Sequence, residues 1–459
     1  MTEALRIPTA AVSVWEQAGI GIPTKYWAYE PYTPNDTEVW ASSGCCNGEC
    51  TCLGEYDGVD STDNCSVALY RGNSNWTQNP RTVDGYDYQA VLSHEFGHCL
   101  GLDHEDDVDA LMNSGYDGHP DGIDNRFLRK DDMLGVRSVQ GHASWSLYWR
   151  NPGDSSWNSS FNGSSLWASG SPGVAYGGGF NGWNLIGFQS SSGLDWVTTI
   201  GKAGPTPSSW TNVCGIWHDN TWQTSRDGVA VGRDVGGTNY MAVAYLYKTN
   251  GYIRAVRNLY PVAGGCGSFA LMNQLTDTDF ITRRRPALTY NANNSRLTMA
   301  WIDYHTGLIK ISTNSSTNNS TWVSGGGQYY NTSEYTDAPV GIVCGYWSPT
   351  ASTKCFIAFP RLEGDHYLRL CRLTPYSNGG FSKDWCSNSS YAISNVPPSI
   401  RIANDNTVEI MVPYFSTGSS APIRKYTYTE SGGWSQYSSY GSTKVGMAIG
   451  GGVEIKVGN

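Results

Sequence analysis

From Gly173 onward the chain returns repeatedly to one plan: a strand of small residues, a turn, an apolar strand ending in aromatics, a turn and a third strand. "GVAYGGGFNGWNLIGFQSSSGLDWVTTI" and "GVAVGRDVGGTNYMAVAYLYKTNGYIRAV" show it in full, and shorter or looser copies start at Pro286, Ala338, Pro398 and Val445. The spacings between starts are 55, 58, 52, 60 and 47 residues, close to the ~40–50 residues of a four-stranded propeller blade with longer loops. Six blades are therefore expected. The copy from Val445 is too short to form a blade, and "ASWSLYWRNP", residues 143–152, has strand alternation and no blade of its own. Adding it to the last copy as an outer strand would close the ring. A pair of packed β-sandwiches with coincidental spacing is the alternative.

The composition fits many short strands and turns. Charged residues make up 15% of the chain, against roughly 25% in an ordinary soluble domain. Of the 18 tryptophans, 14 lie after residue 141, so the texture changes there. Two domains are expected, 1–141 and 142–459, the first α+β and the second all-β. The net charge of -10 and a single short basic run, Arg283, Arg284 and Arg285, exclude the footprint of a nucleic-acid binder. No apolar stretch reaches the ~20 residues needed to span a bilayer.

The 12 cysteines divide evenly: Cys45, Cys46, Cys50, Cys52, Cys65 and Cys99 in the first part, six from Cys214 to Cys386 in the second. Even counts point to disulfides closed within each domain and to an extracellular, secreted protein. The N-terminus "MTEALRIPTAAVSVWEQAG" has no signal-peptide pattern, so the expectation is a chain that starts after a leader and a pro-segment.

Three of the eight histidines fall within "VLSHEFGHCLGLDH", residues 91–104. His94 and His98, four apart, share one face of a helix, so both imidazoles can reach one ion. Leu92, Phe96 and Cys99 form an apolar stripe that buries the helix. Gly101 can end it in the left-handed conformation and bring His104 back as a third ligand. Zinc held by three histidines keeps a fourth position for water, and Glu95, beside the first ligand, stands ready to take that water's proton. The expected chemistry is hydrolysis by a zinc-activated water.

HExxHxxGxxH followed by a methionine turn, here "ALMNSGY", resembles the metzincin metalloproteases, and the short spacing from His104 to Met112 resembles their matrixin branch. "FLRKDDMLGVRSVQG", residues 127–141, resembles the matrixins' closing helix, with Asp131 and Asp132 as its acidic pair. The resemblance implies Met112 as the floor beneath the zinc, Tyr116 as part of the wall of the substrate's S1′ pocket, and residues 117–126 as the loop that shapes it. Two departures stand out: Glu105 replaces a small hydroxyl residue and Ser114 replaces proline. No cysteine switch and no second set of zinc histidines is present in the sequence, so one zinc is expected. The resemblance also allows a structural calcium on Asp57, Asp60 and Asp63, with a solvated acidic loop as the alternative.

The expected partners are a protein or peptide substrate and, for the propeller, a glycan or extracellular-matrix ligand. Two rival functions remain. One is a lectin-like or adhesive propeller with a vestigial protease site, against which the retained Glu95 argues. The other is a glycan-cleaving role for Arg283–Arg285, which lacks the recurrent turns of a sialidase. "CCNGECTC" reads as disulfide cysteines before a metal knuckle, and His119, His142, His218, His305 and His366 as isolated residues.

Overall fold

The computed structural model describes residues 86–107, 110–114 and 130–140, Ala11, Trp15, Arg126 and Leu128, and the strand backbone of five short segments between 27 and 77. From 145 to 458 it describes the strands named below and the turns next to them. Tyr116, Asp60, Asp63, Arg283, the 45–52 cysteine cluster, His119, His142 and His366 lie outside the described residues. The chain divides into two compact units, one comprising Met1–Ala143, Arg361–His366 and Phe415–Ala421 and the other the remainder.

The first unit holds a four-stranded sheet in the order Trp27–Ala28, Thr37–Ser42, Cys65–Tyr70, Gly54–Val59. The first two pairings are parallel and the last antiparallel. Against Gly54–Val59 and Cys65–Tyr70 lies helix α1, Tyr88–Cys99. Its first turn is closed by Asp87, whose Oδ1 accepts from the amides of Gln89 and Ala90 at 2.8 and 3.2 Å, satisfying donors that a helix start leaves free. Its last turn ends in a Schellman motif: Gly101 donates to the His98 carbonyl, Leu102 donates to that of Gly97, and Gly101 has φ +89°. Leu92 and Phe96 are buried, as the stripe requires, and Cys99 is half-buried and disulfide-bonded. Helix α2, Lys130–Gln140, contributes Val136 to the core that Trp15, Phe96, Leu100, Leu111, Met112 and Leu128 share.

The second unit is a ring of sheets. Five are Gly173–Gly177 to Thr211–His218, Ala230–Asp234 to Phe269–Gln274, Ala287–Asn291 to Tyr330–Tyr335, Gly341–Trp347 to Phe381–Ala392, and Ser399–Ala403 to Gly433–Thr443. Strands pair in chain order, except that Tyr330–Tyr335 pairs with Leu308–Asn314, and the first strand of each is innermost. The innermost strands touch in succession, and the sixth, Gly446–Ile449, touches both Ser399–Ala403 and Gly173–Gly177. This is a closed six-bladed propeller. Glycine permits the close approach of neighbouring blades: a Cβ on Gly173 would stand 2.7 Å from the Val231 amide nitrogen, and one on Gly341 2.5 Å from the Pro398 carbonyl.

The sixth sheet runs Gly446–Ile449, Glu454–Val457, Trp145–Arg150, Trp167–Ala168. The strand expected from "ASWSLYWRNP" indeed closes the ring, pairing antiparallel with Glu454–Val457. It is the third strand rather than the outermost, because Trp167–Ala168 adds a fourth beyond it. Arg150 and Glu454 are register partners and form a buried ion pair at 2.8 Å. The guanidinium also lies over the rings of Trp157 and Tyr440, 4.3 and 3.8 Å from their centroids.

Two disulfides, Cys344–Cys355 and Cys371–Cys386, each join adjacent strands of one blade. Arg284 and Arg285 are buried and donate to main-chain carbonyls: Arg284 to Asp337, Arg285 to Pro172 and Val229. Those carbonyls lie just before the innermost strands of neighbouring blades, so the arginines tie blades together.

Candidate metal centre

His94 and His98 rise from the same face of α1, and the Schellman turn at its end returns the chain so that His104 meets them. The Nε2 atoms of His94 and His98 each lie 3.2 Å from that of His104. A single hydrogen on His104 Nε2 could satisfy only one of these contacts. A tetrahedral zinc with Zn–N bonds of ~2.0–2.1 Å sets its ligand nitrogens about 3.3 Å apart, so the three nitrogens are spaced as a shared ion requires.

The opposite ring nitrogens are occupied. His94 Nδ1 lies 2.8 Å from the Leu111 carbonyl and His98 Nδ1 2.7 Å from the Leu102 carbonyl. A carbonyl only accepts, so each Nδ1 carries the hydrogen and each Nε2 presents its lone pair to the centre. Burial pushes the His94 imidazole down to about 4, the charges of His98 and His104 add to the effect, and the Leu111 carbonyl opposes it. Burial likewise lowers His98, with its Leu102 contact opposing. In both rings burial thus favours the neutral form, the one that ligates metal.

Leu111 and Leu102 are held in turn. The Leu102 amide is the one that closes the Schellman turn on Gly97. The amides of Leu111 and Met112 donate to Asp132 Oδ2 and Oδ1 at 2.8 and 3.1 Å, and Asp132 is buried on α2. One peptide group therefore links the α2 carboxylate to the His94 ring. Met112 is buried against α1. Gly97 makes room for it: a Cβ there would overlap Met112 Sδ and stand 2.6 Å from a ring carbon of Trp15. Trp15 is fixed by a 2.6 Å hydrogen bond from its Nε1 to the Ser93 carbonyl.

Gly97→Ala should therefore destabilise the first unit by about 1–3 kcal/mol, the usual cost of overpacking, despite a helix-propensity gain of up to ~1 kcal/mol. Chemical denaturation monitored at that unit checks it. An alanine variant as stable as the parent would show that Met112 is not seated on this face.

Glu95 is buried on α1 beside His94. The model of the matrixin family matches residues 56–141. This segment is matrixin-like. The chain is 36% identical over 73 residues to matrix metalloproteinase-25 of Homo sapiens, covering 16% of this chain and 13% of that protein. It is 38% identical over 79 residues to the hatching enzyme of Paracentrotus lividus, covering 17% and 13%. The chain thus spans about an eighth of the length of these relatives.

Among solved structures, the chain is similar to SapL1 lectin in complex with alpha methyl fucoside, with a TM-score of 0.39 at 11% identity over 61% of this chain and 83% of that one. It is also similar to the six-bladed fungal lectin of Aleuria aurantia, with a TM-score of 0.35 at 12% identity over 59% and 95%.

The two departures from the matrixin pattern have structural counterparts. The Glu105 amide donates to the Met112 carbonyl at 2.9 Å. Ser114 donates twice to Asp106, from its amide to Oδ1 at 2.7 Å and from its hydroxyl to Oδ2 at 2.9 Å. Neither contact, nor the Asp132 carboxylate's aim at the methionine turn, was read from the sequence. A buried pair was missed as well: Arg126 Nε meets Asp87 Oδ2 at 2.6 Å, joining the exit of the 117–126 segment to the N-cap of α1. Asp87 ahead of an apolar run is a recognisable cap, but nothing local marks Arg126 as its partner.

Proposed function

We propose that the chain is a secreted zinc endopeptidase: residues 1–141 hydrolyse peptide bonds, and the propeller, 142–459, holds the substrate or the surface on which it lies. The observation that carries this reading is the convergence of three Nε2 atoms, two of them on rings whose other nitrogen is already spent on a carbonyl. Zinc held there supplies a Lewis acid and a bound water acidified toward neutrality. His94, His98 and His104 hold it. Glu95 takes the water's proton at its carboxylate and returns it to the departing amine. Met112 supports the helix, and the resemblance to matrixins assigns Tyr116 to the pocket for the residue that follows the cut bond.

For the propeller, the exposed rings of Trp167, Tyr346 and Tyr376 support a polysaccharide or matrix ligand, since such rings offer an apolar face with a polar edge. No helix among the described residues is long and apolar enough to cross a membrane.

Metal analysis combined with peptide-library cleavage tests the proposal. One zinc per chain is expected, with cleavage abolished by a chelator and restored by zinc. Two tightly held zincs, or none, would sink the single-site reading.

A further inference from the structure

His104 differs from the other two histidines in how it is held. Among the described residues its Nδ1 has no partner, and the ring's hydrogen-bond contacts are to His94 and His98 alone. Its position depends on the backbone of an exposed segment, 103–107, in which His104 and Asp106 both face solvent. That segment is fastened to the methionine turn at two places: the Glu105 amide on the Met112 carbonyl, and Asp106 on Ser114 through both carboxylate oxygens. These bonds tie the segment that carries the third histidine to residues 110–114. The latter are fixed to the buried Asp132 through Leu111 and Met112.

We infer that Asp106 is a positioning residue for His104: its two-pronged bond to Ser114 replaces the ring-nitrogen partner that His104 lacks. Exposed hydrogen bonds of this kind contribute little to global stability, so the clamp's effect falls on the geometry of one ligand. Partners that orient a metal's ligands typically change metal affinity by ~10–100-fold when removed. Asp106 is not among the three converging ligands and acts through the backbone that carries His104.

The inference rests on the metal-centre reading, and the test separates the two. Zinc affinity is measured on the full chain by competition with a chromogenic chelator, alongside hydrogen exchange of the Ser114 amide in the zinc-free protein. Asp106→Ala should weaken zinc binding by ~10-fold or more and speed exchange at Ser114, while the unfolding transition of the first unit stays in place. Asp106→Asn loses the charge and keeps both contacts, since its amide oxygen accepts the Ser114 N–H and its NH2 donates to the hydroxyl oxygen. It should stay within about threefold of the parent, in keeping with a bond preserved rather than lost.

Ser114→Ala, which loses one prong, should fall between. An asparagine variant as weak as alanine would show that the carboxylate acts by charge and would overturn the clamp. So would an alanine variant, or Ser114→Ala, indistinguishable from the parent in both readouts. A parent chain that takes up no zinc would overturn the metal-centre reading and this inference together.

Discussion

Glu95→Gln should leave zinc content unchanged and lower peptide hydrolysis by about 10²–10⁴-fold, the range over which a positioned general base contributes. Glutamine has nearly the same volume, so the buried site on α1 is filled and the three histidines keep their places. What is lost is the ability to take a proton. The check is a fluorogenic peptide assay run beside metal analysis on the same preparation. A variant that keeps zinc and near-parental turnover would show that another residue is the base. A variant that loses the zinc would show instead that Glu95 helps to hold the centre together.

Arg150→Ala should cost the propeller about 3–5 kcal/mol, the penalty for stranding one partner of a buried ion pair. Glu454 is fully buried and its carboxylate meets Arg150 Nε at 2.8 Å. Arg401 lies 3.9 Å away and is already paired with Glu409. The substitution also empties the space between Trp157 and Tyr440, at the seam where the ring is closed. Thermal and denaturant unfolding of the full chain, followed through the propeller's transition, should show the loss, with a lowered midpoint and unchanged zinc. Replacing both partners with apolar residues of similar volume should recover much of it, since the cost comes from the orphaned charge. An alanine variant with the parental midpoint would mean that the closing sheet does not depend on this pair.

The parts of the molecule legible in the sequence are those encoded by local spacing. The i, i+4 placement of His94 and His98, the apolar stripe of Leu92 and Phe96 and the left-handed Gly101 all follow from helix geometry, and the structure has each of them. Blade starts are legible for the same reason, since a strand–turn–strand plan repeats within about 60 residues. The closing strand was legible because it had alternation without a sheet to join, yet the second strand it brings, Trp167–Ala168, is two residues long and leaves no periodic trace.

Contacts between distant segments were not legible. Asp132 reaches the methionine turn from 20 residues away, Arg126 reaches Asp87 from 39, and Arg285 reaches Pro172 from 113. Each such bond is set by where two elements pack, which no window of sequence contains. Arg284 and Arg285 show the same limit: the sequence argued against a glycan-cleaving role for Arg283–Arg285 but offered no other, and the hydrogen bonds of Arg284 and Arg285 to three main-chain carbonyls make them fasteners.

Closure of the ring by strands 304 positions apart in the chain also sets a timetable for synthesis. At roughly 5–20 residues per second, Trp145–Arg150 leaves the ribosome about 15–60 seconds before Glu454–Val457 is made. For that interval one strand of the final sheet has no neighbour on its inner side, and an unpaired edge of this kind is a template for another chain. Five blades can assemble meanwhile, but none can complete the circle. Two nascent propellers on neighbouring ribosomes could therefore exchange closing strands and emerge as an interlocked pair, because the bonds that shut one ring are the same bonds that would join two.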